Sequence, residues 1–409
     1  MATTTFPQTR VPQLNRMQLL GIGAAVVGLA LLALGFVTNT LQFAKSYIFG
    51  FYFTMAFPLG CLGFLMIQHL TGGAWGVTVR RMLEAGALAL PIFFILSLPV
   101  ILAAYNTFGF DHPIYHWADP NIVTPGAPEF DPIVAHKVPW MSAPWFAGRM
   151  LIYFLLWSTI AILLRRWSLG QDRGDDPVAA ATRMRRLSGI GVALFVLTVT
   201  FFAFDVGMSL DAHWYSTIYG AHYMGNSGLT ALAFLIIALT QLRRTATFEE
   251  HVPVKPIHDL GKLMFAFTIL WTYLSFGQYV IIWSGDVAEF TPWYLRRIEG
   301  GWLFFVIALI FVTFFVPFFL LLGRKPKRNL NYLAGVATLI LAMRFVDMMW
   351  IILPEFHPTV AEISWLDFAA PLGLLGIFLA IWAWNMQRAA LLPLNDPQME
   401  GLQAAGGHH

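Results

Sequence analysis

Long apolar runs broken by short polar segments dominate the chain. A helix needs about 20 mostly apolar residues to cross ~30 Å of hydrocarbon. Ten stretches meet that length: 17–40, 45–70, 80–106, 144–167, 185–210, 215–242, 259–283, 293–322, 328–353 and 364–387. The runs are continuous, whereas barrel strands alternate apolar and polar positions, so a β-barrel is excluded. The first run, MQLLGIGAAVVGLALLALGFVTNT, is too long for a signal peptide and has no good cleavage site, so a retained helix is expected. The pattern therefore predicts an all-α polytopic membrane protein. A segment 1–16 precedes a ten-helix body, 17–387, and a polar tail, 388–409, is expected to lie off that body.

Composition sharpens this reading. Of 409 residues, 58% are hydrophobic and only 11% charged, against about 25% charged in an ordinary globular domain. A soluble enzyme and a disordered chain are both excluded. The single cysteine, Cys61, cannot form an internal disulfide or supply the roughly four thiolates of an iron–sulfur cluster. Net charge is +3 with scattered basic residues, which gives nucleic-acid binding no support. Nineteen of the 25 Lys and Arg residues fall on the side holding the N-terminus, five on the other, and Arg344 within a span. That bias predicts cytoplasmic termini in a plasma membrane, and an even number of spans puts both termini on one side.

The loop 107–143 is long, with six prolines and the aromatics Tyr115, Trp117, Phe130 and Trp140. It is expected either to dock on a partner or the membrane interface, or to cap the helix ends of this chain. Small-residue patterns in GIGAAVVG (21–28) and FPLGCLGF (57–64) predict close helix contacts. Pro91, Pro99 and Pro317 fall inside spans and predict kinks.

Polar residues inside spans are candidates for function, because a charge near the bilayer centre costs several kcal/mol. One group lies towards the side opposite the termini: Arg149, Asp205, Tyr219, His222, Tyr223, Asn226, Gln278 and Tyr279, with Arg344 and Asp347 at i and i+3 nearer the middle. A second group lies towards the termini: His69, Glu84, His258, Asp259 and Lys262. Two groups at opposite depths suit the ends of a proton route, since carboxylates and imidazoles accept and release protons. The competing expectations are a structural Arg344–Asp347 ion pair, a hydrogen bond between Asp205 and His222 on adjacent helices, and snorkelling for the terminal-side group. No haem is expected in this chain: His222 is the only histidine well inside a span, and no haem-attachment motif or metal-ligand spacing is present.

Three stretches carry a resemblance: AHKVPWMSAPWFAGRMLIYFLLW (135–157), DVGMSLDAHWYSTIYGAHY (205–223) and SFGQYVIIWSGDVAEFTPWYLRR (275–297). With ten spans and a long loop after the third, they resemble the NrfD-like, or polysulfide reductase membrane-subunit, superfamily. Within it they are most similar to the smaller NrfD-like subunit of bacterial alternative complex III. The resemblance covers residues 15–390. It implies two four-helix bundles, spans two to five and six to nine, flanked by the first and tenth helices. It implies a complex that oxidises a quinol and passes electrons to cytochrome c or an oxidase. The partners would be a larger NrfD-like subunit holding the quinol site, an iron–sulfur subunit, c-type cytochrome subunits and small membrane subunits. The haems and clusters would sit in those partners, and none in this chain.

The expected role is thus structural and proton-translocating rather than catalytic, with Asp205, His222, Arg344, Asp347, Glu84 and His69 as route candidates. Arg149, Tyr219, Tyr223, Asn226 and Gln278 would give polar support or line a quinone site. Quinol oxidation in this chain itself, with Asp205 and His222 as proton acceptors, is the alternative. A secondary transporter is less favoured, for want of paired Gly/Pro interruptions in both halves.

Overall fold

The computed structural model describes residues 11–393 and 395–399. Ten helices are long and apolar enough to span a membrane: Pro12–Thr38, Thr40–Thr71, Ala74–Ala104, Ala143–Asp172, Pro177–Leu210, Ile218–Leu242, Val254–Gly285, Leu303–Leu322, Leu330–Phe356 and Leu366–Met386. No strand occurs among the described residues. The protein is an all-α, multi-pass membrane protein. Gln387 Nε2 donates to Gln18 Oε1 at 2.9 Å, so the first span begins beside the end of the tenth. That end of the molecule is the terminal side, and the opposite end is the loop side.

The second and sixth spans are the buried centre, with 94% and 83% of their apolar windows inside the protein. They cross at small residues: a Cβ on Gly60 would fall 2.1 Å from the Ser227 carbonyl oxygen. The third and fifth spans pack against the second, and the fourth against the third and fifth; the seventh and ninth pack around the sixth, and the eighth lies against the seventh and ninth. The first and tenth spans pair along their length. A Cβ on Gly28 would lie 2.3 Å from Gly373 Cα, and one on Gly376 would lie 2.3 Å from Ala25 N. Both small-residue patterns thus mark close helix crossings, where backbones meet without intervening side chains.

Two spans are irregular. The third is three helical pieces, Ala74–Ala87, Leu90–Leu96 and Leu98–Ala104, with Pro91 and Pro99 opening the later two. A proline has no N–H to donate and fits best in a first turn. The eighth carries a π-helical stretch, Leu309–Phe315, just before Pro317. The proline cannot bond the carbonyl four residues back, and the widened turn accommodates its ring. The eighth span also begins later than the expected 293. Thr291–Leu295 is a separate short helix, and the chain then turns through Gly300 (φ 57) and Gly301 (φ 98). Continuous hydropathy conceals this turn, although Arg296, Arg297 and Glu299 are polar signals within it.

The long loop caps its own helices with part of its aromatics. Tyr115 and Trp117 are buried against Phe146, and the Tyr115 hydroxyl donates to the Val206 carbonyl at 3.2 Å. Phe130 and Trp140 stay 36% and 44% exposed. The tail corrects the sequence reading. Leu392, Asp396 and Met399 are buried, Asp396 pairs with Arg80, and Gln68 Nε2 donates to Gln398 Oε1 at 3.0 Å. Polar composition suggests a free tail, but each of its polar side chains named here meets a partner on the body. The final Gly-Gly-His-His lies outside the described residues.

Candidate functional site

Four charged centres are built into the protein. The first lies on the terminal side around Glu84. Its carboxylate accepts from Arg80 Nε at 3.2 Å, Arg81 Nη1 at 2.9 Å, Arg165 Nη1 at 2.7 Å and the Ser168 hydroxyl. Arg81 also meets Asp172 at 2.5 Å. The Arg80–Arg81–Glu84 spacing puts all three within one turn of the third span. The fourth span brings Arg165, Ser168 and Asp172. Three arginines face Glu84, Asp172 and Asp396, so the centre is neutral when every member is ionised. Snorkelling therefore does not describe Glu84, which is fully buried. His69 is buried beside this network, and its Nε2 has no hydrogen-bond partner among the described residues. Lys262 and Asp259 form a separate, half-exposed pair at 2.7 Å.

The second centre joins the fourth and fifth spans near the loop side. Asp205 accepts from Arg149 Nε (2.9 Å) and Nη2 (2.7 Å), and from the Tyr153 hydroxyl (2.8 Å). Arg149 Nη1 donates to the Trp140 carbonyl at 2.9 Å, and its guanidinium lies 4.2 Å from the Trp140 ring centroid. This is a bidentate, stacked and satisfied pair. The expected Asp205–His222 bond does not form. Asp205 is claimed by Arg149, and His222 bonds Ser275 Oγ at 2.9 Å on the seventh span.

The third centre lies where the sixth, seventh and ninth spans meet. Asp347 Oδ2 accepts from Asn226 Nδ2 at 2.5 Å, Trp271 Nε1 at 3.1 Å and Arg344 Nη1 at 3.2 Å. The Arg344 guanidinium sits 4.1 Å from the Trp271 ring centroid, and His222 packs on the same indole at 6.3 Å. All three donors converge on one oxygen. Arg344 Nε and Nη2 are buried and have no hydrogen-bond partner among the described residues. Buried donors of this kind ordinarily meet water or a ligand's polar atom.

Tyrosines line the sixth span from this centre towards the loop side. The Tyr223 hydroxyl donates to the Tyr52 carbonyl at 2.9 Å, with the two rings stacked at 4.3 Å. Gly207 makes room for the next pair: a Cβ there would lie 2.6 Å from the Tyr219 hydroxyl and 3.0 Å from that of Tyr52.

The fourth centre closes the loop side. Glu355 pairs with Arg296 Nη1 at 3.1 Å and Arg297 Nη2 at 2.6 Å, and Arg296 also pairs with Asp211. The Arg297 guanidinium lies 3.4 Å from the Trp293 ring centroid, and Trp293 stacks on Trp214 at 4.4 Å. Burial raises the Asp211 carboxyl, but the Arg296 guanidinium and the backbone N–H groups of Trp214 and His213 outweigh it. The group is held below its ordinary value. Gln278 lies at this edge, accepting weakly from Ser216 Oγ at 3.4 Å.

Sequence reasoning counts Arg80, Arg81, Arg165, Arg296 and Arg297 only as orientation charges. The i, i+3 and i, i+4 spacing of Arg80, Arg81 and Glu84 is a usable signal. Trp271 and Tyr52 give none, because a transmembrane aromatic is ordinary core until its N–H or O–H is located. No protein-family model matches the chain, and no curated protein matches it.

Proposed function

We propose that this chain is a membrane subunit without redox cofactors in a quinol-oxidising complex of the alternative complex III type, and that the Asp347 centre belongs to a proton route through it. The observation that carries the proton role is the lopsided hydrogen bonding of that centre. Asp347 takes three donors on Oδ2 and none on Oδ1 among the described residues, while the partner arginine keeps two donors unsatisfied. Such a carboxylate keeps one oxygen free to take a proton, and a buried cation stands beside it. Tyr223, Tyr52 and Tyr219 then offer hydroxyls towards Arg297 and Glu355, and His222 adds a titratable ring on the same indole.

Asp205 and Glu84 take a different part in this reading. Each is saturated by arginine, so each holds helices together rather than exchanging protons. The wider assignment is supported by where the three family-like stretches meet. Residues 135–157 supply Arg149 and Tyr153 to Asp205 of 205–223, which in turn sets His222 and Asp211 against Ser275 and Arg296 of 275–297. The larger NrfD-like subunit, iron–sulfur subunit and c-type cytochromes would carry quinol and electrons. Cytoplasmic termini are supported by the charge bias, and a bacterial plasma membrane by the resemblance.

The test is Asp347→Asn in the complex purified from native membranes and reconstituted in vesicles. Electron transfer should persist while protons released per electron fall. An unchanged ratio in an intact complex would remove Asp347 from the route. Purification as a colourless single chain would replace the whole assignment with the transporter reading.

A further inference from the structure

His112, Asp119 and Glu129 come from separate turns of the long loop, and each places one ligand atom within 4.8 Å of the other two. The second observation concerns Asp119 alone. It is 3% exposed, yet its one hydrogen bond among the described residues is from Asn121 N to Oδ1 at 2.9 Å. Glu84, Asp205, Asp347 and Asp396 are buried acids too, and each has an arginine. Asp367 has none, but it receives Ser46 Oγ on one oxygen (2.6 Å) and Ser364 N on the other (2.8 Å). Asp119 has neither a cation nor a second donor, and a further carboxylate lies close by. Two such groups repel when both are ionised.

We propose that His112, Asp119 and Glu129 bind a divalent transition-metal ion of the zinc type. One imidazole nitrogen and two carboxylate oxygens suit Zn2+ better than Ca2+ or Mg2+, which favour all-oxygen sets. His112 and Glu129 are exposed, so water completes the coordination. The Asp119 side chain is the anchored member: its bond to Asn121 N opens the short helix Pro120–Val123 and fixes the carboxylate. The ion would tie the start of the loop to its middle across Pro113, Pro120, Pro125 and Pro128, and so hold the cap formed by Tyr115 and Trp117. It would have no part in electron transfer.

The test uses the full chain in mild detergent, stripped with EDTA, in a His408→Ala/His409→Ala background so that the terminal histidines do not bind the probe. Zn2+ is titrated calorimetrically and the bound metal counted after dialysis. One equivalent should bind, and millimolar Ca2+ should not displace it. Glu129→Gln removes an exposed charge and should not disturb folding. Asp119→Asn keeps an acceptor for Asn121 N. Each should weaken Zn2+ binding by at least the ~10–100-fold that a merely supporting residue costs. Zn2+ should also slow proteolysis within residues 107–143 in the parent and not in Glu129→Gln. Absence of a stoichiometric site, equal affinity in the parent and both variants, or displacement by Ca2+ would overturn the proposal.

Discussion

Arg149 grips Asp205 side-on, with Nε on one carboxylate oxygen at 2.9 Å and Nη2 on the other at 2.7 Å. Both residues are nearly inaccessible. Removing one charge from such a pair leaves the other buried and uncompensated, which costs about 3–5 kcal/mol. Asp205→Asn should therefore lower the thermal stability of the detergent-solubilised protein sharply. The double variant Arg149→Met/Asp205→Leu should recover much of the loss. A double variant as unstable as the single one would mean that the pair does more than neutralise itself.

Glu84 differs in having three arginines. Glu84→Gln keeps the shape but removes the one anion that Arg80, Arg81 and Arg165 share. Its cost should reach or exceed that of Asp205→Asn, again about 3–5 kcal/mol or more. The tail should also loosen, because Arg80 holds Asp396. Faster amide exchange at residues 395–399 in the variant is the measurement.

Gly60 tests the central crossing. Overpacking a well-filled core costs typically ~1–3 kcal/mol. Here the obstacle is backbone, because a methyl on Gly60 would sit 2.1 Å from the Ser227 carbonyl oxygen. Gly60→Ala should lie at or above the top of that range, read as the loss in unfolding free energy. Gly335→Ala, where no atom lies within 4 Å of the new methyl, is the control and should be near neutral.

Asp211 supplies a pH dependence. Its carboxyl is held below the ordinary value in the folded protein, since Arg296 and two backbone N–H groups outweigh burial. The unfolded chain then binds the proton more readily, so this group's contribution is complete above the unfolded value of ~3.9 and is lost as pH falls through the folded one. Asp211→Asn should be less stable than the parent at pH 7, and the gap in Tm should narrow as pH falls below about 4. A gap that is constant with pH would mean that the carboxylate charge adds nothing.

The ten spans are legible in the sequence because bilayer thickness imposes a length that apolar runs must meet. The contact of Gly21 and Gly28 with Gly373 and Gly376 is half legible, since small residues announce a crossing without naming the partner helix. The sites are less so. Arg344 and Asp347 pair as their spacing suggests, but Asp205 and His222, neighbours in depth, turn to Arg149 and Ser275. Depth can be read from a count along the chain. Which way a side chain faces depends on how several helices are rotated against one another, and no local pattern encodes that. The tail misleads for a related reason: Asp396 is polar in composition, but its partner lies more than 300 residues earlier.

The pairing of the first and tenth spans bears on how the protein is made. The first span offers a row of glycines whose matching surface, on the tenth, is synthesised only after the eight spans between them. Until then that surface must rest against lipid or an insertion factor. The pairing therefore joins two helices made far apart in time, and a ribosome that stalls before residue 366 leaves the first span without its partner.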